Sequence, residues 1–145
     1  MKCMLDKAIQ IACTAHRGQV DKAGEPYILH PLRVMMQCSS VQEKIVAILH
    51  DVIEDSPITQ VDLANGGFSK EVLNAVDCLS KRKGENYQEF INRVKANDLA
   101  TKVKIEDIKD NLNLLRLPEL TSSDLARLKK YHQAIYELRG KVVSV

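Results

Sequence analysis

The 145-residue chain has no tryptophan and only two phenylalanines. It therefore lacks the interleaved basic and aromatic residues on which single-stranded nucleic acid stacks. Lysine and arginine total 21 against 19 aspartates and glutamates, a net charge of +2. So small an excess gives nucleic acid no bulk attraction. No apolar run approaches the roughly 18 residues that cross a bilayer. Asp6 falls where a signal peptide needs its apolar centre, so a cytoplasmic protein is expected. Cys3, Cys13, Cys38 and Cys78 are far apart with no Cys-x-x-Cys, which argues against a zinc knuckle and a disulfide framework and for reduced thiols on helix faces. Sustained strict alternation is missing, and so are repeats, low-complexity stretches and linkers. What remains is one all-α domain over residues 1–145, a bundle of seven or eight helices.

The helices can be placed by their stripes and stop signals. Residues 2–15 carry Leu5, Ala8, Ile9, Ala12 and Cys13 on one face. Gly18 and Gly24-Glu25-Pro26 make 17–29 a loop, and Pro31 suits the opening of a second helix with His30 as its N-cap. That helix runs to about Cys38. A third is expected from Val41 to Asp55, stopped by Pro57. Thr59 and Asp62 form a capping box for a short helix, and Ser69 caps the next. Lys81-Arg82-Lys83-Gly84 is a basic turn before a helix over 86–97. A long helix is expected from Leu99 to Leu117, ended by Pro118. Thr121 or Ser122 caps the last, with Leu125, Leu128, Ile135 and Leu138 facing in.

The chemistry concentrates at the end of the third of these helices. Ile45-Val46-Ala47-Ile48-Leu49 is wholly apolar and runs into His50-Asp51-Val52-Ile53-Glu54-Asp55. On a continuous helix, His50 and Glu54 share a face, as do Asp51 and Asp55, and the two faces lie about 100° apart. An imidazole and three carboxylates at the end of a buried helix would cost several kcal/mol without a partner. A divalent cation is the simplest partner, and mixed imidazole and carboxylate ligands suit manganese, iron or zinc better than calcium. A second acidic cluster places Asp107 and Asn111 on one helical face, with Lys104 three residues before Asp107. By itself this reads as a solvated charged face, and the 17–29 segment by itself reads as a surface turn.

Three spaced motifs change that reading. They are His16-x-Gly18-Gln19-x-x-Lys22-x-Gly24-Glu25-Pro26-Tyr27-Ile28-x-His30-Pro31, then Leu49-His50-Asp51-Val52-x-Glu54-Asp55, then Val103-Lys104-Ile105-x-Asp107-x-x-x-Asn111. Together, over about His16 to Leu138, they resemble the HD-domain hydrolases of the RelA/SpoT type, and most of all the small stand-alone alarmone hydrolases. The resemblance implies an all-α HD-domain bundle with one Mn²⁺ per chain that removes the 3′-pyrophosphate of (p)ppGpp, leaving GDP or GTP. Carried over position by position, His30, His50, Asp51 and Asp107 match the metal ligands. Glu54 and Asp55 match the acidic pair that handles the attacking water, Lys22 a loop lysine that meets phosphate, and Asn111 an asparagine on the nucleotide. Tyr131 corresponds to a tyrosine lining the nucleotide pocket in small members. Two departures touch nucleotide recognition: Asp21 stands where the family has arginine, and Leu112-Asn113-Leu114-Leu115 follows Asn111 in place of Met-Arg-Thr-Leu.

The expected activity is Mn²⁺-dependent hydrolysis of guanosine alarmones, a small nucleotide substrate with neither nucleic acid nor membrane as partner. Lys22, with Arg17 or Lys104, would offset charge on the pyrophosphate, and Asp21 would lie at the pocket. The alternatives are a phosphatase acting on an adenosine alarmone or NADPH, and a catalytically silent nucleotide-binding HD protein. With no synthetase or regulatory domain in the sequence, synthesis of the alarmone is not expected of it.

Overall fold

Two helices carry the interior, and both lead to the polar residues. In the computed structural model, which describes the backbone of residues 3–143 and the side chains of 3–140, the helices are α1 (Leu5–Ala15), α2 (Leu29–Gln37), α3 (Val41–Leu49), α4 (Val52–Asp55), α5 (Gln60–Asn65), α6 (Lys70–Leu79), α7 (Tyr87–Lys95), α8 (Asp98–Asn111) and α9 (Ser122–Val143). Helix α3 packs against α1, α2, α6 and α8, while α8 packs against α2, α3, α6, α7 and α9. Ile45 through Leu49 are all buried, as a helix apolar on every side must be. A strand-like bridge pairs Val20 with Pro26 inside the 16–28 loop. Among the described residues no helix is long and apolar enough to cross a membrane, and all four cysteines are free.

The helix starts follow side-chain chemistry. Ser40 and Glu43 form a capping box on α3, and Thr59 and Asp62 form the expected one on α5. Ser69, Asn86 and Asn97 accept the N-cap hydrogen bonds of α6, α7 and α8. For α9 the cap is Thr121, which accepts from the Asp124 amide while the Asp124 carboxylate accepts from the Thr121 amide.

Four expectations need correction. The helix foreseen over 41–55 is broken at His50-Asp51. The imidazole Nδ1 of His50 bonds the Ala47 carbonyl, which a continuing helix would give to the Asp51 amide. His30 is not an N-cap. Helix α2 begins at Leu29 behind a turn in which the Leu29 and His30 amides donate to Pro26 and Tyr27. Pro31 still falls in the first turn, where its missing N–H is harmless. Helix α8 stops at Asn111, and a 3₁₀ turn follows over Leu114–Arg116. Leu125 faces solvent at 51% exposure, while Ile135 and Leu138 are buried as expected.

The loop between α1 and α2 is folded back on itself. Tyr27 and Gln19 pair through their backbones, as do Asp21 and Glu25, and Gly24 turns the chain with a φ of +83° that other residues adopt at a cost. The Gln19 side-chain amide donates to the Asp55 carbonyl at 2.7 Å, pinning this loop to α4. The Tyr27 hydroxyl on Asp51 and the Asp21 carboxylate beside Arg116 tie the same loop to the segments that follow α3 and α8.

Ile48 is fully buried in the last turn of α3. Ile48→Ala is expected to lower the unfolding free energy by about 2–5 kcal/mol, read from the urea midpoint at unchanged m-value. A loss below about 1 kcal/mol would show that α3 does not anchor the core.

Candidate metal centre and nucleotide cleft

The break after α3 aims the His50 ring. With Nδ1 engaged by the Ala47 carbonyl, Nε2 is the free nitrogen. It is buried and lacks a well-directed hydrogen bond, although Asp51 Oδ2 lies at 3.0 Å and Asp107 Oδ1 at 3.3 Å. His30 arrives from α2, its Nε2 lying 2.9 Å from Asp107 Oδ1 and 3.8 Å from Asp51 Oδ2. Ligand atoms of His30, His50 and Asp107 all fall within 4.8 Å of one another. The four residues matched to metal ligands thus converge from α2, α8 and the end of α3. A buried nitrogen aimed at two carboxylates, without a hydrogen bond of its own, is what a dication held between them requires. Nitrogen and oxygen donors in equal number fit a first-row metal.

Burial and charge oppose each other at every group here. Burial pushes the His50 imidazole towards its neutral form, but Asp51 and Asp107 outweigh it and hold its pKa well above the usual value. His30 is likewise raised, burial being overcome by hydrogen bonds to Asp107 and Asp110. Burial would raise both aspartates. Lys104 and His50 instead bring Asp107 well below the ordinary carboxylate range, and His50 brings Asp51 to about 2. Both carboxylates stay charged, as ligands must.

A second layer holds these side chains. Asp110 Oδ2 lies 2.7 Å from His30 Nδ1, fixing the ring so that Nε2 faces inward. Arg33 grips the same carboxylate through Nε at 2.8 Å and Nη2 at 3.1 Å. The Tyr27 hydroxyl donates to Asp51 Oδ2. Lys104 donates to Asp107 Oδ2 at 2.7 Å and Asn111 to Oδ1 at 3.2 Å, so both are tied to the centre itself. Sequence reasoning missed Asp110, Arg33 and Tyr27. Asp110 lies three residues after Asp107 and one before Asn111, inside an acidic cluster that was in view, but nothing in the sequence pairs it with a histidine 80 positions away.

A cleft of about 480 Å³ opens from this centre. Glu54, Lys22, Asp21, Asn111, Lys104 and Tyr131 all line it, whereas Asp55 and Arg17 do not. Glu54 accepts a hydrogen bond from the Lys81 amide. Burial, with the Asp51 and Asp55 charges, raises its pKa against that bond. The Asp55 carboxyl is raised by burial and then by Asp51. Lys22 meets Asp124 at 3.5 Å. Lys130, which sequence reasoning also missed, sits over the Tyr87 ring at 4.5 Å and the Tyr131 ring at 5.3 Å. Asp21 faces the amides of its own loop and Arg116.

Known proteins resemble this chain in sequence and in fold. The bifunctional (p)ppGpp synthase/hydrolase SpoT of Escherichia coli K12 is 32% identical over 128 residues, covering 77% of this chain and 18% of that protein. The chain is a relative of the RelA/SpoT-type HD-domain proteins. A guanosine-3′,5′-bis(diphosphate) 3′-pyrophosphohydrolase of Borreliella burgdorferi is 35% identical over 79 residues, 52% of this chain and 12% of that one. The Myxococcus xanthus GTP pyrophosphokinase is 28% identical over 130 residues. The chain therefore spans less than a fifth of the length of these relatives. A solved structure reported as a metazoan ortholog of SpoT that hydrolyses ppGpp superposes with a TM-score of 0.76 at 23% identity, covering 97% of this chain and 88% of that one, which establishes the fold. No family model matches.

Asp110→Asn leaves the first layer of candidate ligands in place and removes the charge behind His30. It is expected to weaken binding of a divalent metal by roughly 10- to 100-fold, measured by titration of metal-stripped protein. Unchanged affinity would mean that Asp110 serves only the arginines beside it, Arg33 and Arg116.

Proposed function

We propose that this chain hydrolyses the 3′-pyrophosphate of guanosine alarmones, using one Mn²⁺ held by His30, His50, Asp51 and Asp107. The observation that carries this reading is the convergence of those four side chains at the floor of a cleft whose walls carry lysines, among them Lys22 and Lys130. A compact dication site suits one phosphoryl group, and the further cations suit a substrate with several. The RelA/SpoT-type relatives, one of them named as a 3′-pyrophosphohydrolase, support the choice of substrate.

When bound, the metal would supply an acidified water and a Lewis acid for a phosphoryl oxygen. Glu54 is the base. Its Oε1 is anchored by the Lys81 amide, leaving the other oxygen to take a proton from the attacking water. Its raised pKa, with burial as the first cause, suits a group that must accept a proton near neutrality. Asp55 works from behind the cleft, its charge adding to the pull on the Glu54 proton. The water oxygen bonds to the phosphorus next to the ribose, the bond from that phosphorus to the 3′ oxygen breaks, and the 3′ oxygen takes up a proton as pyrophosphate departs. Lys22 and Lys130 offset phosphate charge from the walls. Lys104 and Asn111 act through Asp107, holding its two oxygens in place.

The test is product analysis on ppGpp, its adenosine counterpart and NADPH with Mn²⁺ present. Pyrophosphate and GDP from ppGpp are expected. Orthophosphate from NADPH, with ppGpp untouched, would replace the proposal with a phosphatase, and binding without any turnover would point to a silent member. Glu54→Gln is expected to retain metal while kcat falls by roughly 10²-fold or more. Metal content that falls in step with rate would make Glu54 a ligand instead.

A further inference from the structure

Asp21 lines the cleft, but its carboxylate is fully engaged elsewhere. Oδ1 accepts from the Ala23 amide at 2.9 Å and the Glu25 amide at 3.0 Å, bracing the loop. Oδ2 faces Arg116 Nη1 at 3.4 Å. The side chain is only 13% exposed. Whatever enters the cleft meets the residue that Asp21 holds.

Arg116 comes from the 3₁₀ turn after α8 and also lines the cleft. On the Asp110 side, its Nη2 donates to the backbone carbonyl at 3.1 Å and lies 3.7 Å from the carboxylate. Its Nε is buried and has no hydrogen-bond partner. The guanidinium is thus clamped between the loop and the end of α8, with donors to spare out of its five. Two carboxylates at 3.4 and 3.7 Å cancel much of its charge, so it is poorly suited to gripping phosphate. Lys130, over aromatic rings, is better suited to that work. Next to Arg116 and Asp21 along the chain, the cleft is lined by the apolar Leu117 and Val20 and by Lys22, whose ammonium meets Asp124 at 3.5 Å. A planar fork set beside apolar side chains is an environment for a base.

We propose that Arg116, positioned by Asp21 and Asp110, selects guanine over adenine in this cleft. The inference rests on the reading of the cleft as a nucleotide hydrolase site and adds the base to it. Guanine presents two adjacent acceptors, O6 and N7, which an arginine fork meets with two hydrogen bonds. Adenine presents N7 beside an N6 donor, so one arm of the fork would face another donor. Lysine has the charge without the fork.

The test is the ratio of kcat/KM for guanosine 3′,5′-bis(diphosphate) to that for its adenosine counterpart. Both substrates meet the same preparation, so loss of folded protein cancels from the ratio. Wild type is expected to favour guanosine by on the order of 10-fold or more. Arg116→Ala should bring the ratio close to one, chiefly through a higher KM for the guanosine substrate, and Arg116→Lys should not restore it. Asp21→Asn keeps an acceptor for the loop amides but loses the charge facing Arg116, and should lower the ratio part of the way. A wild-type ratio near or below one, or a ratio unchanged in Arg116→Ala, overturns the inference while leaving the hydrolase reading intact. Failure of wild type to hydrolyse either substrate ends both.

Discussion

Asp107 sits one turn before the end of α8; its two oxygens meet the His30 imidazole, an ammonium and a side-chain amide, and His50 Nε2 lies 3.3 Å away. A carboxylate so buried is tolerable only because Lys104 and the histidines surround it, and its proton affinity is driven down accordingly. The packing follows from that requirement. Helix α3 must reach α8 to deliver His50, α2 must lie alongside to deliver His30, and both pairs of helices are in contact. The apolar run Ile45–Leu49 makes this possible by burying α3 up to the residue before the histidine.

From the centre outward, each layer limits the freedom of the one inside it. Asp110 and Arg33 fix the His30 ring, the Ala47 carbonyl fixes His50, and Tyr27 holds Asp51. Tyr27 and His30 belong to opposite ends of one short segment, so the loop that covers the cleft also builds the centre. The clamp of Asp21 and Asp110 on Arg116 continues the network to the cleft wall. The geometry of the candidate ligands and the shape of the cleft therefore depend on the same hydrogen bonds.

Much of this was legible in the sequence. Stripes and caps located the helix starts to within a few residues, because Thr59, Ser69 and Thr121 satisfy amides that only a helix start leaves open. Of the residues singled out in the three motifs, Lys22, His30, His50, Asp51, Glu54, Asp107 and Asn111 line one cleft, whereas Asp55 does not. The break at His50 was not legible, since it depends on a side chain taking a backbone carbonyl in competition with the next turn. Nor was the role of Asp110, whose partner lies 80 residues away. Asp21 looked like a misplaced negative charge facing a polyanion. In three dimensions its oxygens are spent on loop amides and an arginine 95 residues further on, a pairing that no local pattern encodes. Leu125 kept the helical period yet faces solvent, because periodicity assigns a stripe but does not say where the neighbouring helix ends.

The claim on which the account turns is that the two histidines and two aspartates form one metal site on which turnover depends. The most direct test is to strip the protein with EDTA and titrate Mn²⁺ back, following bound metal and pyrophosphate release from ppGpp in the same samples. The account predicts no turnover in the stripped protein, and activity that rises with bound metal and levels off at one ion per chain. Full activity in the metal-free protein, or full metal binding and activity in His50→Ala, would contradict it.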